Sequence, residues 1–225
     1  MTYQNLISFI GEDKAESFFN TEYQEAYHSK IGPLLEAEHK FVNPVSLKEL
    51  ITKNQCVKIL DLFFGLGYNT GMALDSAYKV CKSPHLEIIG IEKDCEIISK
   101  IKELNVPSWY KKWEELLSNL STTQFIKFEN VSIQLYIEDI FNIIDKLPKK
   151  YFDVIFFDPF SHKTTPLFWE PAFLTSVFNL LIKGGTLTTY SGLKKVEQLA
   201  NELGYTSTRI EQFGRKKHSL AISYY

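Results

Sequence analysis

From about residue 57 onward, short apolar runs alternate with segments in which apolar residues recur at helical spacing. The apolar runs predict buried strands, and the spaced segments predict helices between them. Strands are predicted at 57–62, 86–91, 131–137, 151–158 and 186–191, and helices at 69–80, 94–104, 170–182 and 194–203. The pair Gly184-Gly185 is predicted to end the helix at 170–182. This alternation predicts an α/β protein with a doubly wound, mainly parallel sheet.

The first predicted strand leads into a turn with two closely spaced glycines, Gly65 and Gly67, ahead of a helix. Glycine suits this turn because a Cβ would obstruct both the turn and the close approach of a ligand. The backbone N–H groups where the helix begins, near Asn69, then face whatever lies above the turn. The spacing Asp61-x-x-x-Gly65-x-Gly67 is therefore a variant of a nucleotide-binding loop.

The last two predicted strands, at 206–213 and 219–224, flank a basic turn and are expected to pair antiparallel. Such a closing pair is unusual for a nicotinamide-binding domain and is characteristic of the Rossmann-like class I fold of S-adenosylmethionine (SAM)-dependent methyltransferases. Residues 1–50 lack the repeating pattern and are predicted to form a small N-terminal cap, which either covers a sheet edge or contributes to substrate binding. Residues 51–225 are predicted to form the methyltransferase domain, with a helical insertion at about 105–130.

Four acidic residues follow or close successive predicted strands: Asp61, Glu92, Asp139 and Asp158. In an open parallel sheet, ligands bind beyond the carboxyl ends of the strands, so these side chains should meet at one edge. Glu92 is expected to accept hydrogen bonds from ribose hydroxyls, and Asp139 from an adenine amino group. Asp61 suits a cationic ligand better than a pyrophosphate, which favours SAM over NAD. Helix capping is the alternative role for Glu92 and Asp139.

The strand predicted at 151–158 ends in Asp158-Pro159-Phe160-Ser161. Pro159 restrains Asp158 to an extended conformation, and Phe160 offers a flat surface. The arrangement is similar to the Asp/Asn-Pro-Pro-aromatic tetrapeptide of methyltransferases that act on exocyclic amines, with one proline missing. Asp158 is therefore expected to hold an acceptor amine, the alternative being a simple turn that ends the strand.

Composition limits the kinds of ligand and the cellular location that the sequence predicts. With 25 basic and 27 acidic residues the net charge is −2, so any nucleic-acid surface must be local. The basic turn at 213–218 is either a phosphate-binding site or a solvated hairpin tip. The three cysteines form no CxxC pair, which predicts neither a disulfide framework nor a metal site. No apolar run suits a membrane span and the N-terminus lacks a signal-peptide pattern, so we predict a cytoplasmic protein without membrane contact.

Five stretches together resemble the MnmC-like family, the methyltransferase module of the tRNA enzyme that completes 5-methylaminomethyl-2-thiouridine at the wobble position. The resemblance extends from about residue 23 to residue 224. The stretches are Glu25-Ala26-Tyr27-His28-Ser29 with Gly32 and Glu36-Ala37, then Asp61 to Asn69, then Asp158 to Ser161 with Pro166-Leu167-Phe168-Trp169, then Gly184 to Ser191, and finally Phe213 to Lys217.

This resemblance implies SAM as the cofactor and the primary amine of 5-aminomethyl-(2-thio)uridine in tRNA as the acceptor. It implies that Asp158 is catalytic, at the reacting amine. The implied cofactor site comprises Asp61, Gly65, Gly67, Asn69, Glu92, Asp139 and Asp158. The implied substrate site comprises Tyr27, His28, Phe160, Tyr190, Arg215, Lys216 and Lys217.

The sequence departs from the family in two respects. The family loop usually reads Glu-x-Gly-x-Gly-x-Gly, whereas Asp61 replaces the acid and Phe63 the first glycine here, so we expect cofactor binding with an altered turn. Many relatives also carry a flavin oxidase module. Because the sequence ends at Tyr225, we expect a stand-alone form whose aminomethyl-uridine is supplied by upstream enzymes. Three alternatives stay open: methylation of another amine, a non-catalytic SAM- or nucleotide-binding subunit, and aminopropyl transfer.

Overall fold

The computed structural model describes residues 5–211 and 218–225. Its strands are β1 (Leu6–Ile10), β2 (Glu16–Asn20), β3 (Glu25–Ala26), β4 (Val57–Leu62), β5 (Leu86–Glu92), β6 (Phe125–Phe128), β7 (Val131–Ile137), β8 (Phe152–Phe157), β9 (Leu181–Thr189), β10 (Thr206–Glu211) and β11 (His218–Ser223). Its α-helices are α1 (Pro33–Glu36), α2 (Leu47–Lys53), α3 (Tyr68–Val80), α4 (Cys95–Lys100), α5 (Lys111–Thr123), α6 (Ile140–Ile143), α7 (Pro171–Phe178) and α8 (Lys194–Glu202). A π-helical segment, Ala37–Val42, continues α1.

The main sheet has the strand order β10-β11-β9-β8-β4-β5-β7-β6 in the part of the chain described. The central strands β9, β8, β4, β5 and β7 are parallel, while β6, β11 and β10 pair antiparallel at the two sides. This confirms the predicted α/β fold with its closing antiparallel pair. The chain leaves β4 toward β5 on one side, whereas β8 leads to β9 on the other. The adjacent carboxyl ends of β4 and β8 therefore form a topological switch point, where ligands bind in such sheets.

Two apolar layers hold helices on opposite faces of this sheet. Because side chains alternate along a strand, Ile59 of β4 points into one layer and Leu60 into the other. Helices α3 and α5 pack on the first face, and α7 and α8 on the second. Burial on both faces explains why the central strands are almost continuously apolar.

The N-terminal residues form a separate antiparallel sheet, with β2 between β1 and β3 in the described residues. Asp13, in the turn between β1 and β2, accepts hydrogen bonds from the backbone N–H groups of Leu34 and Leu35 and so ties this sheet to α1. The Tyr68 hydroxyl donates to the Glu16 carbonyl oxygen at 2.7 Å and joins the same sheet to α3. These strands were not predicted from the sequence. The division of the chain near residue 50 stays a prediction.

One helix boundary was predicted wrongly. The helix predicted at 170–182 ends at Phe178, and β9 begins at Leu181. Gly184 and Gly185 lie inside β9 instead of ending the helix, where Gly184 has a φ of +88° and a Cβ on Gly185 would approach the Phe152 carbonyl oxygen to 2.9 Å. The pairing of β9 with β8 shifts register at this point, so the two glycines form an irregularity in the strand.

Across residues 5–211 and 218–225, every helix is too short or too polar to cross a lipid bilayer.

Candidate active site

A cavity of about 740 Å³ lies at the switch point between β4 and β8. Its floor is formed by residues that follow the central strands, and its opposite wall comes from the N-terminal sheet and the segment that follows it. Eight of the residues predicted to form the site line this cavity: Tyr27, His28, Gly65, Asn69, Glu92, Asp158, Phe160 and Tyr190. A volume of this size suits a nucleoside-like cofactor together with part of an acceptor.

Asp158 is positioned by the end of β8 and by Pro159. One of its carboxylate oxygens accepts a hydrogen bond from the Asn69 side-chain amide at 3.0 Å. Burial raises the pKa of Asp158 to about 7, and the Asn69 hydrogen bond opposes that rise. A carboxyl group with a pKa near neutrality can take a proton from an amine and release it again.

Glu92 lines the cavity at the end of β5, whereas Asp61 is fully buried behind the wall. The Glu92 carboxylate accepts backbone hydrogen bonds from Gly65, Lys93 and Asp94, each at 2.9 Å. These bonds fix its oxygens at the cavity wall. Asp61 accepts a hydrogen bond from the Thr70 hydroxyl at 2.7 Å and supports the start of α3. Burial raises the pKa of Asp61 to about 8.

Besides Asp61, two further predicted cofactor residues are absent from the cavity lining. Gly67 has a φ of +76°, and a Cβ there would approach the Phe64 ring to 2.7 Å, so this glycine permits the turn to pack. Asp139 caps α6 by accepting the Phe141 backbone N–H, while the preceding Glu138 lines the cavity. The ligand-binding roles assigned to these two residues stay predictions.

The N-terminal wall contributes aromatic rings. The ring of Phe160 lies 5.0 Å from that of Tyr23 and 4.9 Å from that of Tyr27. The Tyr27 hydroxyl donates to the Asp94 carboxylate at 2.9 Å, which orients the ring above the glycine turn. His28 shares a 2.8 Å hydrogen bond with the Ser17 hydroxyl, and burial lowers the pKa of His28 to about 4, so its imidazole is neutral at pH 7.

Glu25 attaches the N-terminal wall to the loop after Asp158. Its carboxylate accepts hydrogen bonds from the Ser161 backbone N–H at 3.0 Å and 3.2 Å, from the Ser161 hydroxyl at 2.9 Å and from the Thr164 hydroxyl at 2.5 Å. The buried Trp169 ring donates to the Phe160 carbonyl oxygen at 2.9 Å and holds the same loop from the other side. Two stretches of the family resemblance are thus joined directly.

Several residues that shape the cavity were assigned no site role from the sequence, although Glu25 and Glu36 lie in the stretches that carry the family resemblance. Tyr23, Glu25, Glu36, Lys40 and Glu138 all line it. The spacing of four residues between Glu36 and Lys40 was a usable signal, because such residues are neighbours on a helix. Tyr190 lies beside Trp169, with ring centroids 6.1 Å apart, and burial raises the pKa of its hydroxyl. The predicted phosphate-binding residues Arg215, Lys216 and Lys217 lie outside the described residues.

The residues present fit a SAM-like cofactor. Gly65 has a φ of +54° and leaves the cavity open at the glycine turn. Acidic side chains predominate around the cavity: Glu25, Glu36, Glu92, Asp94, Glu138 and Asp158, against Lys30, Lys40 and Lys93. Such a lining favours a cationic ligand over a pyrophosphate. Ser29 also has a buried hydroxyl oxygen without a hydrogen-bond partner among the described residues, which a ligand can supply.

The fold and this site are those of a SAM-dependent methyltransferase. A family model described as S-adenosyl-L-methionine-dependent methyltransferase matches residues 104–224, more than half of the chain, and the chain belongs to this family. SAM is therefore its cofactor.

Individual relatives show which SAM-dependent methyltransferases this chain is similar to. The crystal structure of MNMC2 from Aquifex aeolicus superimposes with a TM-score of 0.88 at 26% identity, covering 99% of this chain and 71% of that one. The tRNA 5-methylaminomethyl-2-thiouridine biosynthesis bifunctional protein MnmC of Burkholderia thailandensis is 24% identical over 212 residues, covering 88% of this chain. The uncharacterized protein MJ0670 of Methanocaldococcus jannaschii is 29% identical over 213 residues, covering 92% of this chain. The similarity to MnmC-like methyltransferases is thereby confirmed.

The chain spans 56% of the length of MJ0670 and 32% of the length of the Burkholderia MnmC.

Proposed function

We propose that this methyltransferase transfers a methyl group from SAM to the primary amine of 5-aminomethyl-(2-thio)uridine at the wobble position of tRNA. The observation that carries the proposal is the placement of Asp158. Its half-buried carboxyl group, hydrogen-bonded to Asn69, faces a cavity whose lining is mainly acidic. Similarity to MnmC supports this particular acceptor, because that relative is named for 5-methylaminomethyl-2-thiouridine biosynthesis in tRNA.

SAM supplies, when bound, a methyl group on a positively charged sulfur. In the proposed site Glu92 would accept hydrogen bonds from the ribose hydroxyls of SAM, and the Gly65 turn would allow SAM to approach the protein backbone closely. Both roles rest on the position of these residues at the cavity wall. The acidic lining stabilises the positive charge of the cofactor and of the incoming acceptor amine.

Asp158 accepts a proton from the protonated acceptor amine and holds the resulting neutral amine, so that its nitrogen lone pair can face the methyl group. The N–C bond forms as the S–C bond breaks, and the electron pair of that bond stays on sulfur. Asp158 then returns its proton to water. Because methyl transfer depends on in-line geometry, holding the amine in place supplies much of the rate. In this proposal Tyr27 and Phe160 contact the uracil ring, and the 4.9 Å separation of their rings at the cavity wall supports that assignment.

The test is methyl transfer from radiolabelled SAM to tRNA from cells that accumulate the 5-aminomethyl wobble uridine, followed by nucleoside analysis. We expect label in 5-methylaminomethyl-uridine species. Asp158→Ala should abolish transfer while leaving SAM binding intact, and Asp145→Ala, at an exposed acid outside the cavity lining, should change neither.

Each failure has a distinct meaning. SAM binding without label in any tRNA would contradict the proposed acceptor and favour another amine or a non-catalytic binding subunit. Loss of SAM binding in Asp158→Ala would contradict the role of Asp158. If the acceptor is confirmed, we also propose a cytoplasmic location and upstream enzymes that supply the aminomethyl group, since both follow from a tRNA substrate.

A further inference from the structure

Three polar residues of the N-terminal wall form a recess at the edge of the cavity: Ser29, Glu36 and Lys40. The Lys40 ammonium contacts the Glu36 carboxylate at 2.6 Å, and the two side chains are only 14% and 11% exposed. The other carboxylate oxygen of Glu36 accepts the backbone N–H of Ser29 at 3.2 Å. We call these three residues the Lys40 recess.

The recess has unused donors. A lysine ammonium has three N–H donors, and among the described residues Lys40 forms a side-chain hydrogen bond only to Glu36. The Ser29 hydroxyl is buried without a partner in the same part of the chain. Buried polar groups are normally hydrogen-bonded, so donors left unused on a cavity wall point to a ligand.

Lys40 is also the one half-buried lysine among the described residues that line the cavity, because Lys30 and Lys93 are exposed. The remaining lining is mainly acidic. An anionic group carried into the cavity is therefore repelled over most of the wall and attracted at the Lys40 recess.

The recess lies on the methyl-transfer side of the cavity. The pKa of Asp158 is raised mainly by burial, and the charges of Glu36 and Lys40 act on it in opposite directions. The sulfur of SAM carries both the methyl group and a short amino-acid tail that ends in an ammonium and a carboxylate. Because Glu36 and Lys40 line the same cavity as Asp158, a methyl group placed at Asp158 would bring that tail to the side of the cavity that holds the recess.

We propose that the Lys40 recess binds the carboxylate of the amino-acid tail of SAM, with Lys40 and the Ser29 hydroxyl as donors and Glu36 holding the lysine in place. This inference concerns the cofactor; it rests on the proposed placement of methyl transfer at Asp158 but not on the identity of the acceptor. A carboxylate on the acceptor is the other source of the same chemistry, and the experiment separates the two.

The experiment compares the dissociation constants of SAM and decarboxylated SAM, measured by isothermal titration calorimetry. Decarboxylated SAM lacks the carboxylate and is otherwise the same molecule. We expect wild-type protein to prefer SAM by about ten- to a hundredfold, the range for a charge-assisted hydrogen bond. Lys40→Met should reduce this preference to nearly one by weakening SAM alone. Lys82→Met, at an exposed lysine outside the cavity lining, is the control and should keep the wild-type ratio.

The ratio of the two constants distinguishes a lost contact from general disruption, because misfolding weakens both ligands alike. Ser29→Ala tests the second donor without removing a charge and should lower SAM affinity a few-fold while leaving decarboxylated SAM unchanged. Thermal unfolding in the presence of each ligand provides a second readout.

The proposal is overturned if Lys40→Met keeps the wild-type preference for SAM, or if wild-type protein binds the two ligands equally. If either result is found and Lys40→Met also increases the KM for the acceptor, the recess binds a carboxylate of the acceptor and not that of SAM. None of these binding measurements uses tRNA, so a failure here is distinguishable from a failure of the proposed methyl acceptor.

Discussion

Glu25 offers the sharpest test of how the N-terminal wall contributes to catalysis. It touches neither Asp158 nor the glycine turn in the hydrogen bonds observed, yet it accepts bonds from Ser161 and Thr164 in the loop that follows Asp158. Glu25→Ala removes the acceptor for all of these donors. We therefore expect the Asp158 loop to lose its fixed position while the fold and the cofactor-facing residues remain.

The expected loss of kcat in Glu25→Ala is estimated from the hydrogen-bond donors that lose their acceptor. Three groups lose a charged acceptor: the Ser161 N–H, the Ser161 hydroxyl and the Thr164 hydroxyl. Each such bond is assigned about 1 kcal/mol, which is less than is usual for a charged acceptor, because the site borders a cavity and water can replace part of the bond. The total of about 2 to 3 kcal/mol, if expressed in the transition state, corresponds to a roughly 30- to 150-fold lower kcat. SAM affinity should change by less than about threefold.

The assay is single-turnover methyl transfer at saturating SAM, with the dissociation constant of SAM measured separately. Glu25→Gln keeps one acceptor oxygen and should recover part of the lost rate, which a purely steric role would not predict. Glu22→Ala, at an exposed acid three residues away, is the matched control. The reasoning is refuted if folded Glu25→Ala retains kcat within threefold of the wild type, or if SAM binding weakens in parallel with the rate.

Further substitutions test two properties: the pKa of Asp158 and the backbone strain at Phe63 in the glycine turn. Because burial raises the pKa of Asp158 to about 7 and the Asn69 hydrogen bond opposes that rise, wild-type kcat/KM should increase with pH through about 7. Asn69→Ala should shift this rise in kcat/KM to higher pH, because the hydrogen bond that lowers the pKa of Asp158 is lost. If the rise occurs at the same pH in both proteins, measured with the same acceptor, the proposed effect of Asn69 on Asp158 is contradicted. Phe63 has a φ of +66°, a conformation that favours glycine, so Phe63→Gly should be more stable than Phe63→Ala by about 1 kcal/mol in urea unfolding. Equal stability of the two variants would show that the turn is not strained.

The parallel part of the sheet was predictable because its signal is local. Strand β4 and helix α3 begin and end within one residue of the boundaries read from apolar runs and spacing. Asp94 caps α4 through backbone bonds to Glu96 and Ile97, as its position before a helical pattern suggests. The irregular strand β9 was misread because two adjacent glycines more often end a helix than interrupt a strand.

The N-terminal wall could not be read in the same way. Its strands are short, and β3 has two residues, too few for a periodic pattern to emerge. The contact that matters most, between Glu25 and Ser161, joins residues 136 positions apart. The family resemblance included both residues in its characteristic stretches, but it carried no information that one accepts hydrogen bonds from the other.

The two walls of the cavity therefore have different origins, and we infer that the N-terminal wall contributes most to acceptor choice in addition to the Lys40 recess proposed for the cofactor. Glu92, Gly65 and Asp158 follow strands of a sheet that SAM-dependent methyltransferases share, so the cofactor side can be expected from the fold. The facing wall, with Tyr27 and Glu25, belongs to segments before β4 that the alternating pattern does not include. Because a fold can serve many acceptors, selectivity must come from side chains that differ between them. Outside the Lys40 recess, acceptor choice in this protein is thus expected to follow substitutions before residue 57 more closely than substitutions in the parallel strands.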